Sequence, residues 1–164
     1  MDYNSDYILL ENGITFFESI RVKKAFYKTL YDSIEMDVQT RVINAEEEGK
    51  YGVIFGHDLD ERGRYHHFYL FSINTDFEYS LERITDNQID VLDSAPVQPS
   101  VADGNKFTHL KVKSLGQLVL LYANGDLLNM LKVDKPDTCG FGFYADPKLQ
   151  VKFSDFKISP VQVK

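Results

Sequence analysis

Apolar and polar residues alternate with a period of two in one segment after another, and this constrains the fold more than any other feature of the chain. In SIEMDVQTRV, Ile34, Met36, Val38 and Val42 fall on one face and Glu35, Asp37, Gln39 and Arg41 on the other. That is the pattern of a strand with one buried and one wet face. YGVIFGH follows with Val53 and Phe55 in register. RYHHFYLFSIN places Tyr69, Phe71 and Ile73 inward, and FEYSLERI does the same with Phe77, Tyr79 and Leu81. QIDVLD and THLKVKS (Leu110 and Val112 inward) continue the series across the proline-marked connection SAPVQPS. In QLVLLYANGDLLNML, Asn124-Gly125 between two apolar runs predicts a two-residue hairpin, because both residues tolerate positive φ. CGFGFYAD and VKFSDFKIS close the set. Ile20 to Ile34 has mixed apolar spacing and no good cap, so strand or irregular structure is expected there rather than helix. NAEEEGKYG reads as a charged loop turned at Gly49. Roughly ten short strands with almost no helix predict an all-β fold, an antiparallel two-sheet sandwich.

The 164 residues fit one domain, 1–164, with the N-terminal ~1–30 packing on or covering the sheets. A net charge of −7 and the lack of any long Lys/Arg run argue against nucleic-acid binding. No stretch approaches the ~20 apolar residues of a membrane span. The acidic start MDYNSDYILLENG is no signal peptide, and the single Cys139 cannot form an intramolecular disulfide. A cytoplasmic, soluble protein is the expectation.

The ordered motifs YGVIFGHD, RYHHFYLFSI with FEYSLERI, THLKVKSLGQLVLLYANGDLL, and CGFGFYAD with VKFSDFKI resemble the concanavalin A-like jelly rolls. Laminin-G-like domains and the modules related to 3-keto-disaccharide hydrolases are the most similar. The resemblance runs from about residue 33 to 159 and implies a jelly-roll β-sandwich. That fold hosts lectins, hydrolases and adhesive modules alike, so it implies no single activity.

Laminarinase-type glucanases of this superfamily carry nucleophile, assisting acid and acid/base on a strand reading Glu-x-Asp-x-Glu or Glu-x-Asp-x-x-Glu. Here Glu35 and Asp37 fit, but Gln39 and Thr40 occupy the positions of the acid. Residues two apart on a strand share a face at about 6.6 Å. Retaining hydrolysis needs a second carboxyl about 5–5.5 Å from the nucleophile, one that can donate a proton, and an amide cannot. A hydrolase built on Glu35 and Asp37 would need its acid from another strand, Glu82 being one donor.

The preferred reading is therefore non-catalytic: a binding or interaction module whose ligand is a glycan or a protein. If Val53, Phe55, Tyr69 and Phe71 face the core, Ile54, His66, Phe68 and Leu70 face outward beside Glu35, Asp37 and Gln39. With Glu82, these supply the candidate ligand-binding set Glu35, Asp37, Gln39, His66, Phe68 and Glu82. Aromatic, apolar and amide or acidic groups together suit the two sides of a sugar ring, and equally a protein surface. Cover by loops or by the N-terminal segment, with Tyr3, Tyr7, Ile8, Leu9 and Leu10, is the competing expectation for that face. A structural oligomerisation domain is a further alternative. Leu118, Leu120 and Tyr122 lie on a strand apolar on both faces, which means central burial or a subunit contact.

No metal or cofactor is expected. His57, His66 and His67 cluster with Asp58, Asp60 and Glu61 in HDLDERGRYHH, but His66 and His67 are adjacent and face opposite sides of a strand. The tip reads better as a polar hairpin turned at Gly63. Calcium would need several oxygens to converge, with Asp103, Asn105 and Asp146 as contributors that the sequence does not specify. Cys139 has only His109 as a distant histidine, without a nucleophile signature, and GFGF lacks the lysine and helix of a phosphate loop.

Overall fold

The computed structural model describes residues 7–10, 13–16, 23–26, 33–59, 65–86, 88–132 and 140–160, with side chains for 33, 35–56, 68–86, 88–132 and 142–159. Every regular element among them is a strand. In chain order these are β1 (Tyr7–Leu10), β2 (Gly13–Phe16), β3 (Lys23–Phe26), β4 (Ile34–Ala45), β5 (Lys50–Leu59), β6 (Tyr65–Asn74) and β7 (Glu78–Thr85). They continue as β8 (Gln88–Pro96), β9 (Ser100–Ala102), β10 (Asn105–Leu115), β11 (Leu118–Ala123), β12 (Asp126–Lys132), β13 (Gly140–Ala145) and β14 (Leu149–Pro160). No helix among the described residues is long and apolar enough to cross a membrane.

Two antiparallel sheets form the sandwich. One runs β1-β2-β14-β4-β10-β11-β12, with β9 pairing β10, and the other runs β3-β13-β5-β6-β7-β8. The inward sets enter the core, but β5 and β6 are buried on both faces over their described side chains, β8 is exposed at most positions, and Phe77 precedes β7 at positive φ (59°), only partly buried. Met36, Val38, Leu110, Val112, Val119, Leu121, Val151 and Phe153 point inward from the first sheet, and Tyr51, Val53, Phe55, Tyr69, Phe71, Tyr79, Leu81 and Phe143 from the second. Phe143 meets Phe153 and Phe156 of β14 across the core, with ring centroids 4.7 and 5.4 Å apart. At one edge the layers are also joined by polar groups: Asp93 on β8 accepts from Tyr79 on β7 and from Asn129 on β12 of the opposite sheet.

The Asn124-Gly125 hairpin forms as expected. Both residues have positive φ (51° and 86°), and Ala123 pairs with Asp126 across the turn. The segment from Ile20 to Ile34 contains β3 and ends where β4 begins; 20–22 and 27–32 lie outside the described residues, as do 1–6 and 60–64. The N-terminal segment contributes β1 and β2 to the edge of the first sheet and β3 to the edge of the second.

Candidate functional site

The six residues expected to share one ligand face are divided between the two sheets. Glu35, Asp37 and Gln39 project from β4 on the outer face of the eight-stranded sheet. Phe68 and Glu82 belong to β6 and β7 of the six-stranded sheet, paired through Phe68–Ile84 and Leu70–Glu82. His66 is in the backbone of β6, and its side chain lies outside the described residues. The expectation that Ile54, His66, Phe68 and Leu70 stand beside Glu35 is therefore corrected. β4 pairs with β10 and β14, never with β5 or β6, and the whole core separates the two outer faces.

The outer face of the six-stranded sheet is closed over β5, β6 and β7, whereas Ile89 (54%) and Val91 (63%) on the edge strand β8 are exposed. Ile54 and Leu70 are fully buried, Phe68 is 2% exposed, and Tyr144 packs against them with Ile84. Glu82, 3% exposed, is gripped at both oxygens by Lys50 Nζ at 2.7 and 2.9 Å, and Ser80 Oγ donates to it at 3.2 Å. Gly52 on this face lies so close to β6 that a Cβ would fall 2.0 Å from the Phe71 carbonyl oxygen. No side chain but glycine fits this contact. Burial, then the hydrogen bond Tyr144 donates to Asp146, pushes the Tyr144 phenol well above its ordinary range. These are packing and pairing roles. Glu82 is thus neither a ligand on an open face nor an acid facing Glu35. Ile54, Phe68 and Leu70 are buried, which the expectation of an open binding face does not allow; the side chains of Tyr3, Tyr7, Ile8, Leu9 and Leu10, named for the cover, lie outside the described residues.

The outer face of the eight-stranded sheet is open, and its register assembles a site. Lys113 sits opposite Glu35, Lys111 opposite Asp37, and His109 opposite Gln39 along β4–β10. On the far side of β10, Tyr122 sits opposite Lys111. Lys111 Nζ lies 3.1 Å from Glu35 and 3.9 Å from Asp37, and 5.9 Å from the Tyr122 ring centroid. The hydrogen bond from Lys111 to Glu35 holds the lysine pKa above its ordinary value. His109 Nε2 contacts Asp37 directly. Glu35, His109, Lys111, Lys113, Tyr122 and Gly125 line a hollow of about 220 Å³.

The floor and rim of the hollow are fixed from beneath and beside. Buried Thr40 donates to the Thr108 carbonyl at 2.7 Å, linking β4 to β10 under the site. The Asn124 side chain accepts from the His109 amide at 2.8 Å and donates to the Gln98 carbonyl at 2.7 Å. The hairpin signature thus also holds His109 in place. Sequence patterning alone did not select His109, Lys111, Lys113 or Tyr122, although THLKVKS already alternates His109, Lys111 and Lys113 onto one face. The missing information was which strand lies beside which.

Other candidates resolve as follows. Leu118, Leu120 and Tyr122 form the outer side of β11, whereas Val119 and Leu121 enter the core, so this strand is not buried on both faces. Asp103 stands at the tip of the β9–β10 hairpin. Both oxygens of Asp146 are taken, by the Tyr144 hydroxyl and the Lys50 amide. No three His, Cys, Asp or Glu side chains converge to hold a metal among the described residues. The side chains of HDLDERGRYHH from His57 to His67, and Cys139, lie outside those residues.

The site combines a flat aromatic ring, two carboxylates fixed by cations, an imidazole, an amide and lysine donors on a rigid sheet. It can accept and donate hydrogen bonds around a polyhydroxylated ligand while Tyr122 contacts an apolar ring face.

No family model and no curated protein matches the sequence. Solved structures do match in fold. The carbohydrate-binding module CBM66 from Bacillus subtilis is 13% identical at a TM-score of 0.71, over 95% of this chain and 92% of that one. A Bacillus subtilis protein with a galectin-like fold is 14% identical at 0.69, over 90% and 81%. An endo-β-galactosidase from Clostridium perfringens that releases GlcNAcα1-4Gal is 8% identical at 0.67, over 94% of this chain and 54% of that one. A binding module and an enzyme thus share the architecture. The two-sheet antiparallel sandwich of this chain is the fold shared by that carbohydrate-binding module and that galectin-like protein.

Proposed function

We propose that the chain is a non-catalytic glycan-binding module, and that sugar is held on the outer face of the eight-stranded sheet in the hollow lined by Glu35, His109, Lys111, Lys113 and Tyr122. One observation carries this: an aromatic ring with a lysine over it stands beside carboxylates already fixed by cations, in an open depression. Preset hydrogen-bonding groups cost little ordering entropy on binding, which is how a shallow site gains affinity. The fold likeness to a carbohydrate-binding module supports the reading. Asp37 and Gln39 extend the site along β4. Hydrolysis is disfavoured because Glu35 and Asp37 are both engaged by cations and Glu82 is on the opposite sheet.

A glycan array tests the proposal. Wild-type protein is expected to bind a restricted set of sugars, with the signal lost in Tyr122→Ala while the unfolding midpoint is retained. Silence across the array, or binding untouched by Tyr122→Ala, would overturn it. Turnover of an aryl glycoside abolished by Glu35→Gln would replace it with the hydrolase reading.

A second reading rests on a separate observation. Leu127 (53% exposed) and Met130 (59%) lie on edge strand β12 beside Leu118, and an edge with apolar side chains is a natural contact for a second copy or another protein. A concentration-independent monomer in sedimentation would remove the self-association form of it.

A further inference from the structure

The chain is acidic overall, with 25 Asp and Glu against 18 Lys and Arg. The outer face of the eight-stranded sheet reverses this sign. Strand parity and register bring Arg41 from β4, Lys111 and Lys113 from β10, Lys132 from β12, and Lys152 and Lys157 from β14 onto one face. Among the described side chains, Glu35 and Asp37 oppose them from strand positions, with the exposed Asp155 in the β14 bulge. Asp37 is flanked by Lys111 on one neighbouring strand and Lys157 on the other. Of these cations, only Lys111 meets a carboxylate within ion-pair distance among the described residues. Lys113 lines the hollow itself.

A cationic face on an anionic protein is a preference for negative ligands, since it steers and holds charge that the rest of the surface repels. We infer that the glycan carries acidic groups, carboxylate or sulfate, set against Lys113 and Lys157 while Tyr122 contacts the sugar ring. This rests on the glycan-binding reading and narrows it to a ligand class. Lysine suits the role as a mobile point charge that follows either anion without demanding planar geometry. Exposed pairs are screened by salt within a Debye length of about 8 Å at physiological ionic strength, so the preference weakens as salt rises.

The test titrates the whole chain with four probes: a galacturonic-acid oligomer, the same oligomer after reduction of its carboxyls to neutral galactose, a sulfated galactose oligomer, and a single-stranded oligonucleotide. The expected result is binding of at least one acidic sugar about tenfold tighter than the neutral oligomer. Lys113→Gln with Lys157→Gln should abolish that margin without moving the unfolding midpoint. Which acidic oligomer gains separates carboxylate from sulfate recognition. Equal affinity for the neutral oligomer would overturn the inference and leave the glycan reading standing. An oligonucleotide bound as tightly as the acidic sugars would overturn it in favour of general polyanion binding. Binding of no sugar would remove both this inference and the reading beneath it.

Discussion

The two outer faces of this sandwich start from the same strand pattern and end in opposite states. On the six-stranded sheet, Ile54, Phe68 and Leu70 are buried, and the one carboxylate among them, Glu82, is locked to Lys50. On the eight-stranded sheet, Glu35, His109, Lys111, Lys113 and Tyr122 stand around an open hollow. The difference teaches that a polar residue on an outward position is a site only where the layer above it is missing. Glu82 and Glu35 are both acidic residues paired with a lysine on a sheet's outer face. The first is under cover and acts as structure; the second is reachable.

Stability measurements can break this comparison at the covered face. Phe68→Ala should cost about 3–5 kcal/mol in denaturant unfolding, as large-to-small changes in buried aromatics do. A loss under about 1 kcal/mol would mean that the face is open. Whatever protein remains folded should bind sugar normally.

Alkaline pH probes buried phenols. Burial pushes Tyr51 up to about 12 from 10.0, and Tyr144 is raised in the same direction. The folded state favours the neutral phenol, so this stability is complete below about pH 10. It declines as pH rises and the unfolded tyrosine ionises, and is gone once pH has passed the folded pKa near 12. For Tyr51 the loss is on the order of 2–3 kcal/mol. Tyr51→Phe should remove that part of the alkaline slope in unfolding followed from pH 9 to 12, and Tyr144→Phe should flatten it further; an unchanged slope would show these phenols to be reachable by solvent.

Glu82→Gln sharpens the contrast between the two acids. It should cost about 2 kcal/mol by leaving the Lys50 ammonium without its partner, less than for a fully buried pair because Lys50 keeps some solvent contact. Glycan affinity should not change. Loss of binding with intact stability would return Glu82 to the site.

The smallest expected effect is on the open face. Tyr122→Ala should weaken glycan binding about tenfold, or ~1.4 kcal/mol, while leaving the unfolding free energy within about 0.5 kcal/mol. Isothermal titration beside denaturant unfolding reads both quantities, and a large stability loss would recast Tyr122 as a packing residue.

Much of this fold is legible in the sequence, because side-chain alternation is a local property. Met36, Val38, Leu110 and Val112 report their inward direction without knowledge of their neighbours, and Asn124-Gly125 reports its turn from backbone sterics alone. The site is less legible because it depends on long-range pairing. Nothing local to IEMDVQ says that Lys111 and Lys113 lie alongside it, or that Phe68 and Glu82 belong to the other layer. One local signal did bear on this. VIF and FYLF are apolar at consecutive positions, the mark of strands buried on both sides rather than one. That signal outweighs the polar company of His66 and Glu82 and marks the face bearing Phe68 as covered. The cationic face was hidden for the same reason: its lysines come from separate strands, and only the sheet brings them together.

The central claim is that ligand sits on the eight-stranded sheet's outer face, and amide shift mapping tests it most directly. Titrating isotope-labelled protein with the strongest array glycan should move amides at Glu35, Asp37, Gln39, His109 through Lys113, and Tyr122 through Gly125. Amides of Ile54, Phe68 to Leu70 and Glu82 should stay still. Shifts confined to that second group would contradict the account.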